Sequence, residues 1–408
     1  MGEDASIAAL AALILVAALL GILVRPRGIH ESAFAAVGAI AMLVVGAEPF
    51  ADAGHVLRAN LGVLAFLAGV LILAAVADEA GWFAEGARLA VRASRGSARR
   101  LYVGVCLVSF AGSVVFSLDA AAVALTPVVL IAARRSGASI EPLLFACIAV
   151  ANTASMALPI SNPTNVIVAD HLRLDFLDYA ATMLPAALVS SVAVSLVLAV
   201  RFRRELAGPL VADSSTPGLA ARPVVVTSAA ATVCALVGFA LAPHELGAVA
   251  LVAGIAAAGS LVAIGRWSAP TVLRATGPRL LVFALGVFVM VDAVERHGLS
   301  GLIARHRPGS ATGVGIVAGA LANLVNNLPA TVISLPLAGL DPHRAYALLA
   351  GIDAGPNLTL SGSLATLLWL AVARTHSLEI SPLRYLAVGV LSAPVGLAAA
   401  LGTLALLR

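Results

Sequence analysis

The hexapeptide ISNPTN, at residues 160–165, interrupts a stretch that is otherwise almost wholly apolar. Pro163 follows Asn162, and Pro159 lies just upstream. Proline removes a backbone donor and clashes with the preceding turn, so a helix cannot continue through this point. Within a bilayer, such a break persists only where the freed backbone groups are buried in protein or face a water-filled cavity. The hexapeptide therefore predicts a broken membrane helix with a binding site at the break.

The composition around this break is that of a polytopic membrane protein. Of the 408 residues, 61% are hydrophobic and only 11% are charged, which gives more apolar surface than a soluble domain could bury. Apolar windows of about twenty residues, the length that crosses a bilayer, recur along the chain. The arginine charge orients the loops and does not indicate binding to nucleic acid. The three cysteines form no Cys/His cluster, so the sequence predicts neither a metal site nor a cofactor.

The distribution of arginines orients the chain, because basic loops stay in the cytoplasm. With Arg25 and Arg27 in the cytoplasm, the later arginine clusters of the first half also fall inside, provided that residues 101–134 enter and leave from the same side. That segment is a predicted re-entrant hairpin with its tip at SLDA, residues 117–120. A crossing over residues 142–171 follows, and ISNPTN breaks it.

The second half of the chain repeats the plan of the first. SLDAAAVALTP, at residues 117–127, is echoed by VNNLPATVISL at 325–335, and ISNPTNVIV, at 160–168, by LSGSLATLL at 360–368. Each half contains an odd number of crossings and one hairpin, so the second copy must be inverted in the membrane. Inverted repeats with discontinuous helices are typical of secondary transporters.

The predicted fold class is an all-α polytopic membrane protein. It consists of two inverted repeats, with about ten transmembrane helices, two re-entrant helical hairpins and two broken helices. The predicted boundaries are residues 1–200 for the first repeat, with its hairpin at 101–134 and its broken helix at 142–171, residues 201–222 for a cytoplasmic linker, and residues 223–408 for the second repeat, with its hairpin at 310–339 and its broken helix at 343–374.

Two carboxylates are the candidates for ion coupling. Asp119 is the only ionisable residue in the first hairpin tip, where Asn327 is its repeat mate by position, and Asp353 lies just ahead of the second break. Carboxylates at membrane depth are costly and usually mark ion or proton pathways. The alternative is that either one only caps a half-helix. Neither tip and neither break contains Arg or His, which favours a neutral, hydroxyl-rich substrate or a cation over a multivalent anion.

Four segments resemble, in order and spacing, motifs of the arsenical-pump membrane proteins of the ion transporter superfamily. They are SLDAAAVALTPVVL (117–130), ISNPTNVIVADHLRLDF (160–176), ANLVNNLPATVI (322–333) and GPNLTLSGSLATLLWL (355–370). The resemblance implies export of arsenite and antimonite across the inner (cytoplasmic) membrane in exchange for protons, in some cases with a soluble ATPase partner. The first tip departs from the family pattern, because Leu118-Asp119 stands where an Asn-Asp pair is expected.

Arsenite near neutral pH is an uncharged trihydroxide, which needs hydrogen-bond donors and acceptors but no fixed cation. The candidate substrate-binding residues are those with amide or hydroxyl side chains at the breaks and at the second tip: Asn162, Thr164, Asn165, Asn326, Asn327, Asn357, Thr359, Ser361 and Ser363. The sequence therefore predicts a secondary active transporter for arsenite in which Asp119 and Asp353 are the proton-coupling candidates.

Three other functions stay open. A sodium-coupled carrier of organic anions, or a sodium/proton antiporter of the same superfamily, would use the same hydroxyls, amides and carbonyls as sodium ligands. An intramembrane enzyme would use Asp119 and Asp353 as a catalytic pair, but no catalytic motif accompanies them. A channel is compatible with the repeat symmetry, although two re-entrant sites fit alternating access better.

Overall fold

The computed structural model describes residues 2–24, 29–210, 219–242, 245–298 and 305–407, together with residues 301 and 303. These residues fold almost wholly into helices joined by short loops. The orienting residues Arg25 and Arg27, and residues 211–218 of the predicted linker, lie outside the described residues. The division between the repeats at residues 200 and 223 therefore stays a prediction.

The helices of the first half are α1 (Gly2–Val24), α2 (Glu31–Val44), α3 (Phe50–Ala59), α4 (Leu61–Glu79), α5 (Trp82–Ser94), α6 (Ala98–Phe116), α7 (Leu118–Ser136), α8 (Ile140–Ala154), α9 (Pro163–Leu172) and α10 (Phe176–Arg201). Those of the second half are α11 (Arg222–Leu241), α12 (Leu246–Ala263), α13 (Ala269–Ala275), α14 (Pro278–Arg296), α15 (Ala311–Val325), α16 (Asn327–Ala338), α17 (Pro342–Ala354), α18 (Leu364–Thr375) and α19 (Pro382–Leu406). Short 3₁₀ turns at Pro159–Ser161 and Gly355–Asn357 lie between α8 and α9 and between α17 and α18.

The helices have the lengths that the predicted class requires. Within the described ranges, 7 helices are long and apolar enough to cross a membrane by themselves. The pairs α8–α9 and α17–α18 consist of shorter helices, and each pair forms one broken crossing around its 3₁₀ turn. The predicted fold class, with inverted repeats, two helical hairpins and two broken helices, is confirmed.

Both hairpins turn at a single residue with the same unusual backbone. Ser117 joins α6 to α7 with φ 94° and ψ 155°, and Asn326 joins α15 to α16 with φ 78° and ψ 153°. Residues other than glycine rarely adopt this conformation, which costs on the order of 1–3 kcal/mol and is found at functional sites. The two tips are therefore structural equivalents.

This equivalence corrects the repeat pairing by one residue. The internal prolines of the second arms, Pro127 and Pro336, follow Ser117 and Asn326 at the same spacing. The structural counterpart of Asp119 is therefore Leu328, and Asn327 is not its mate. The pairing from the sequence was wrong because it aligned the polar residues of the two tips. The register between the repeats is instead set by the residue at which each hairpin turns.

The two repeats interlock through equivalent contacts. Helix α2 packs against α14, and its counterpart α12 packs against α4. The backbones of α4 and α12 approach closely, since a Cβ atom on Gly69 would lie 2.2 Å from the carbonyl carbon of Ala250. Small residues of this kind permit tight helix packing where the hydrophobic effect cannot drive association.

Ion pairs reinforce the same junctions, with an arginine at the end of α14 and a glutamate at the end of α4. Arg296, at the end of α14, contacts Asp292 at 2.6 Å, Asp52 at 2.9 Å and Glu48 at 3.4 Å. Glu79, which occupies the equivalent position at the end of α4, accepts from Arg266 at 2.6 Å. The ends of α4 and α14 are therefore each held to a loop of the other repeat.

Candidate functional site

Asp353 of the second repeat lies against the break of the first. Its carboxyl oxygen Oδ1 accepts hydrogen bonds from Asn162 Nδ2 at 2.7 Å and from Thr164 Oγ1 at 3.4 Å. Asn162 also caps α9, because its Oδ1 accepts from the Thr164 backbone N–H at 3.4 Å. The carboxylate thus faces the N-terminal end of a helix, where the backbone dipole stabilises negative charge. This contact joins the broken helices of the two repeats.

Asn165 supports the unwound backbone of the first break. Its Nδ2 donates to the carbonyls of Ser155 at 2.6 Å and Leu158 at 2.9 Å. Both carbonyls were freed by the end of α8, and buried carbonyls without partners are costly in a membrane protein. The geometry gives Asn165 a supporting role beside the predicted binding residues.

A second polar contact connects the breaks through Asn152, which the sequence analysis missed. Asn152 Nδ2 donates to Asn357 Oδ1 at 2.9 Å and to Thr366 Oγ1 at 3.2 Å. Asn357 Nδ2 in turn donates to the Ala149 carbonyl at 3.0 Å. Asn152 belongs to the polar run ANTAS, and an amide inside an otherwise apolar helix was the signal that could have identified it.

The second hairpin holds the second break through Asn323. Its Nδ2 donates to the carbonyls of Gly319 and Gly355, both at 2.8 Å. Its Oδ1 accepts from Thr359 Oγ1 at 2.8 Å and from the Thr359 backbone N–H at 3.1 Å. Thr359 is therefore hydrogen-bonded to α15, the first arm of the second hairpin. Asn323 was within the motif ANLVNNLPATVI but was not among the predicted site residues.

The remaining predicted residues lie around the same junction. Asn326 Nδ2 donates to the Ser361 carbonyl at 3.1 Å, and Ser361 Oγ donates to Thr359 Oγ1 at 3.4 Å. Ser363 immediately precedes α18, and Asn327 is buried in the first turn of α16. The structure thus joins tip and break of the second repeat into one polar unit.

Several buried polar atoms of this region remain available to a ligand. Asp353 Oδ2, Asn326 Oδ1 and Ser363 Oγ make no hydrogen bond to any described residue. Buried polar groups are nearly always paired, and an unpaired one often indicates an absent water or ligand. They are one carboxylate oxygen, one amide oxygen and one hydroxyl, which are the kinds of group that bind hydroxylated molecules.

Asp119 borders a cavity, whereas Asp353 is enclosed by its hydrogen-bond partners. The cavity has a volume of about 590 Å³ and is here called the Asp119 cavity. The charged or titratable residues of this cavity are His30, Glu31, Asp78, Asp119, Arg274 and Arg279, and Leu364 at the start of α18 also lines it. The arginines come from α13 and α14, whereas the residues predicted for the site come only from the tips and the breaks.

A second cavity has the equivalent place in the other repeat. This His171 cavity, of about 310 Å³, is lined by His171 of α9 and by Val332 and Leu335 of α16. Each cavity is therefore bounded by the second arm of one hairpin and the second half of the other repeat's broken helix. The Asp119 cavity reaches a hairpin tip and a helix break, whereas the His171 cavity meets α16 only in its middle. The two cavities therefore differ in volume and in the part of the hairpin arm that they contact.

A comparison with protein families assigns this architecture. A family model described as CitMHS, citrate transporter, matches residues 6–354. The chain belongs to the CitMHS family. Membership, together with the apolar helices, shows a multi-pass membrane transporter.

The CitMHS chain is also similar over nearly its whole length to proteins named arsenical pump membrane protein. The one from Yersinia enterocolitica is 31% identical over 396 residues, which cover 90% of this chain and 91% of that protein. The one from Escherichia coli (strain K12) is 29% identical over 409 residues, which cover 94% of this chain and 95% of that protein. The resemblance seen in the four sequence motifs is confirmed.

A solved structure shares the fold of this CitMHS protein. The YdaH transporter of Alcanivorax borkumensis superposes with a TM-score of 0.59 and 18% sequence identity, covering 88% of this chain and 87% of that one. At this level of identity the similarity concerns the fold alone.

Proposed function

We propose that this CitMHS protein is a secondary active transporter that exports arsenite and antimonite across the inner (cytoplasmic) membrane in exchange for protons. The observation that carries the proposal is the junction of Asp353 with Asn162 and Thr164, which places a carboxylate among amides and hydroxyls at paired helix breaks. The names of the relatives from Yersinia enterocolitica and Escherichia coli support the choice of substrate.

The chemistry of the junction suits an uncharged trihydroxide. Arsenite can donate three hydroxyl hydrogens, and Asp353 Oδ2 and Asn326 Oδ1 are acceptors without partners among the described side chains and backbone. Ser363 Oγ can both donate and accept. A neutral solute requires no compensating cation, which agrees with breaks built from Asn, Thr and Ser.

The two cavities support alternating access. They have equivalent positions in the two repeats, as expected for a transporter whose repeats expose the site in turn. In the proposed cycle, Asp119 or Asp353 takes a proton from outside as the substrate leaves. It loses that proton inside, so proton and substrate compete for alternate states of one site.

One observation favours a second candidate function, an organic-anion carrier. Arg274 and Arg279 line the Asp119 cavity, and guanidinium groups bind carboxylates well. The description of the matching family as citrate transporters points the same way. In this alternative, sodium bound at the breaks would supply the coupling ion.

Uptake into everted membrane vesicles that contain this chain separates the two functions. Arsenite should accumulate under an imposed proton gradient, equally with and without sodium, and a protonophore should abolish the accumulation. Accumulation in vesicles depleted of ATP would show that a soluble ATPase partner is dispensable. Sodium-dependent citrate uptake without arsenite movement would overturn the proposal in favour of the anion carrier.

A further inference from the structure

Glu31 is a buried carboxylate in the wall of the Asp119 cavity. It occupies the first turn of α2 and is 3% exposed. It lines the same cavity as Asp119, and the two carboxyl groups are close enough to interact electrostatically. A glutamate is almost never buried this fully unless it has a partner.

His30 holds Glu31 from the side of the solvent. Its Nδ1 accepts the Ser32 backbone N–H at 3.3 Å and so caps α2. The proton of the neutral ring must then be on Nε2, and this nitrogen lies 3.5 Å from Glu31 Oε1. The His30 side chain is 36% exposed, whereas that of Glu31 is 4% exposed. An N–H donor therefore faces the Glu31 carboxylate and holds it in place.

We propose that Glu31 accepts the proton that Asp119 releases into this cavity, and that His30 is the positioning residue that keeps Glu31 ready to accept it. The inference rests on the proposed proton coupling and adds the exit route. The Asp119 carboxylic acid gives its proton to the Glu31 carboxylate, directly or through cavity water. Glu31 then loses the proton to water at the cavity mouth. One proton moves, and both groups return to their carboxylate forms.

The other charged groups of the cavity define the controls. Asp78 of α4, Arg274 of α13 and Arg279 of α14 also line it. Asp78→Asn removes one negative charge from the same cavity but leaves the pair of Glu31 and His30 intact. His30→Asn keeps a side chain that caps helices well while removing Nε2.

Proton release can be measured without any substrate, on the purified full chain in lipid nanodiscs. The infrared carboxylic-acid band that Asp119→Asn eliminates reports Asp119, and its decay after a rapid rise in pH gives the release rate. Glu31→Gln should slow that decay at least about tenfold, in keeping with the contribution of a positioned proton acceptor. His30→Asn should slow it less and shift its pH dependence. Asp78→Asn should remain within about twofold of the unmodified chain, far below the usual contribution of a proton acceptor.

An unchanged decay in Glu31→Gln, or an equal delay in Asp78→Asn, would overturn the inference. If Glu31→Gln does not fold, Glu31→Asp keeps the charge but withdraws it by one methylene, and it too should slow the decay. Failure of arsenite transport with the decay still dependent on Glu31 would overturn the proposed substrate and leave the relay. Arsenite transport with a decay independent of Glu31 would overturn the relay and leave the proposed substrate.

Discussion

Asp353 Oδ1, at the end of α17 in the second repeat, lies 2.7 Å from Asn162 Nδ2, at the start of α9 in the first repeat. The contact joins two broken helices that belong to different halves of the chain. The same Asn162 side chain also caps α9. Asn162 therefore both stabilises the start of the helix after the break and positions the Asp353 carboxylate.

Asn162 should therefore affect transport and stability separately. Asn162→Ala removes both the cap and the donor to Asp353, so it should lower the free energy of unfolding by about 1–3 kcal/mol and abolish transport. Asn162→Ser keeps a good cap, but its hydroxyl is too short to replace the amide at Asp353. This variant should lose transport while its unfolding temperature in detergent falls less than that of Asn162→Ala, since it loses only the donor to Asp353. Equal destabilisation of the two variants would contradict the capping role.

Close packing of α4 on α12 should make Gly69 intolerant of a side chain. Gly69→Ala would place its methyl group 2.2 Å from the backbone carbonyl carbon of Ala250, and the helices would have to separate at a cost of about 1–3 kcal/mol. Gly259, also on α12, has open space around it. Gly259→Ala should therefore leave the unfolding temperature unchanged or raise it, since alanine favours helix by about 1 kcal/mol. Equal unfolding temperatures for the two variants would refute the close approach.

Glu48 should give the protein a stability that depends on pH. Burial of its carboxyl group and the neighbouring negative charge of Asp292 raise its pKa from 4.5 to about 7. The folded state then binds a proton that the unfolded state has released, so this contribution to stability is present at low pH and is lost as the pH rises from about 4.5 to about 7.

Glu48→Gln removes this titration. As the pH rises from about 4.5 to about 7, the unfolding temperature of Glu48→Gln should fall less than that of the unmodified chain. Above this interval, the unfolding temperature of Glu48→Gln should be the higher of the two. Glu205→Gln, at an exposed glutamate, should keep the original slope. A slope that survives in Glu48→Gln would show that other groups cause it.

Local chemistry determined much of the architecture in advance. Pro159 and Pro163 predicted the end of one helix and the start of another, and α9 begins at Pro163 with Asn162 as its cap. The tip at SLDA was likewise predictable from charge, since the arginines on both sides must remain in the cytoplasm. These features depend on residues that are adjacent in the sequence.

The sequence could not show which distant residues share a surface. Asn152 and Asn323 bind the second break from other helices, and Glu31, at the start of α2, lines the same cavity as Asp119. The one-residue error in the repeat register has a similar origin. Only the backbone of Ser117 and Asn326, and not their side chains, identifies the two turns as equivalent.

Coupling of arsenite to protons through a buried carboxylate can be tested with the purified chain in proteoliposomes. Arsenite added outside should drive protons out of the lumen, which a trapped pH dye reports as alkalinisation while potassium and valinomycin dissipate the membrane potential. We expect alkalinisation by the unmodified chain and none by Asp119→Asn, although that variant should fold and elute normally. Equal alkalinisation by Asp119→Asn, or none by the unmodified chain, would contradict it.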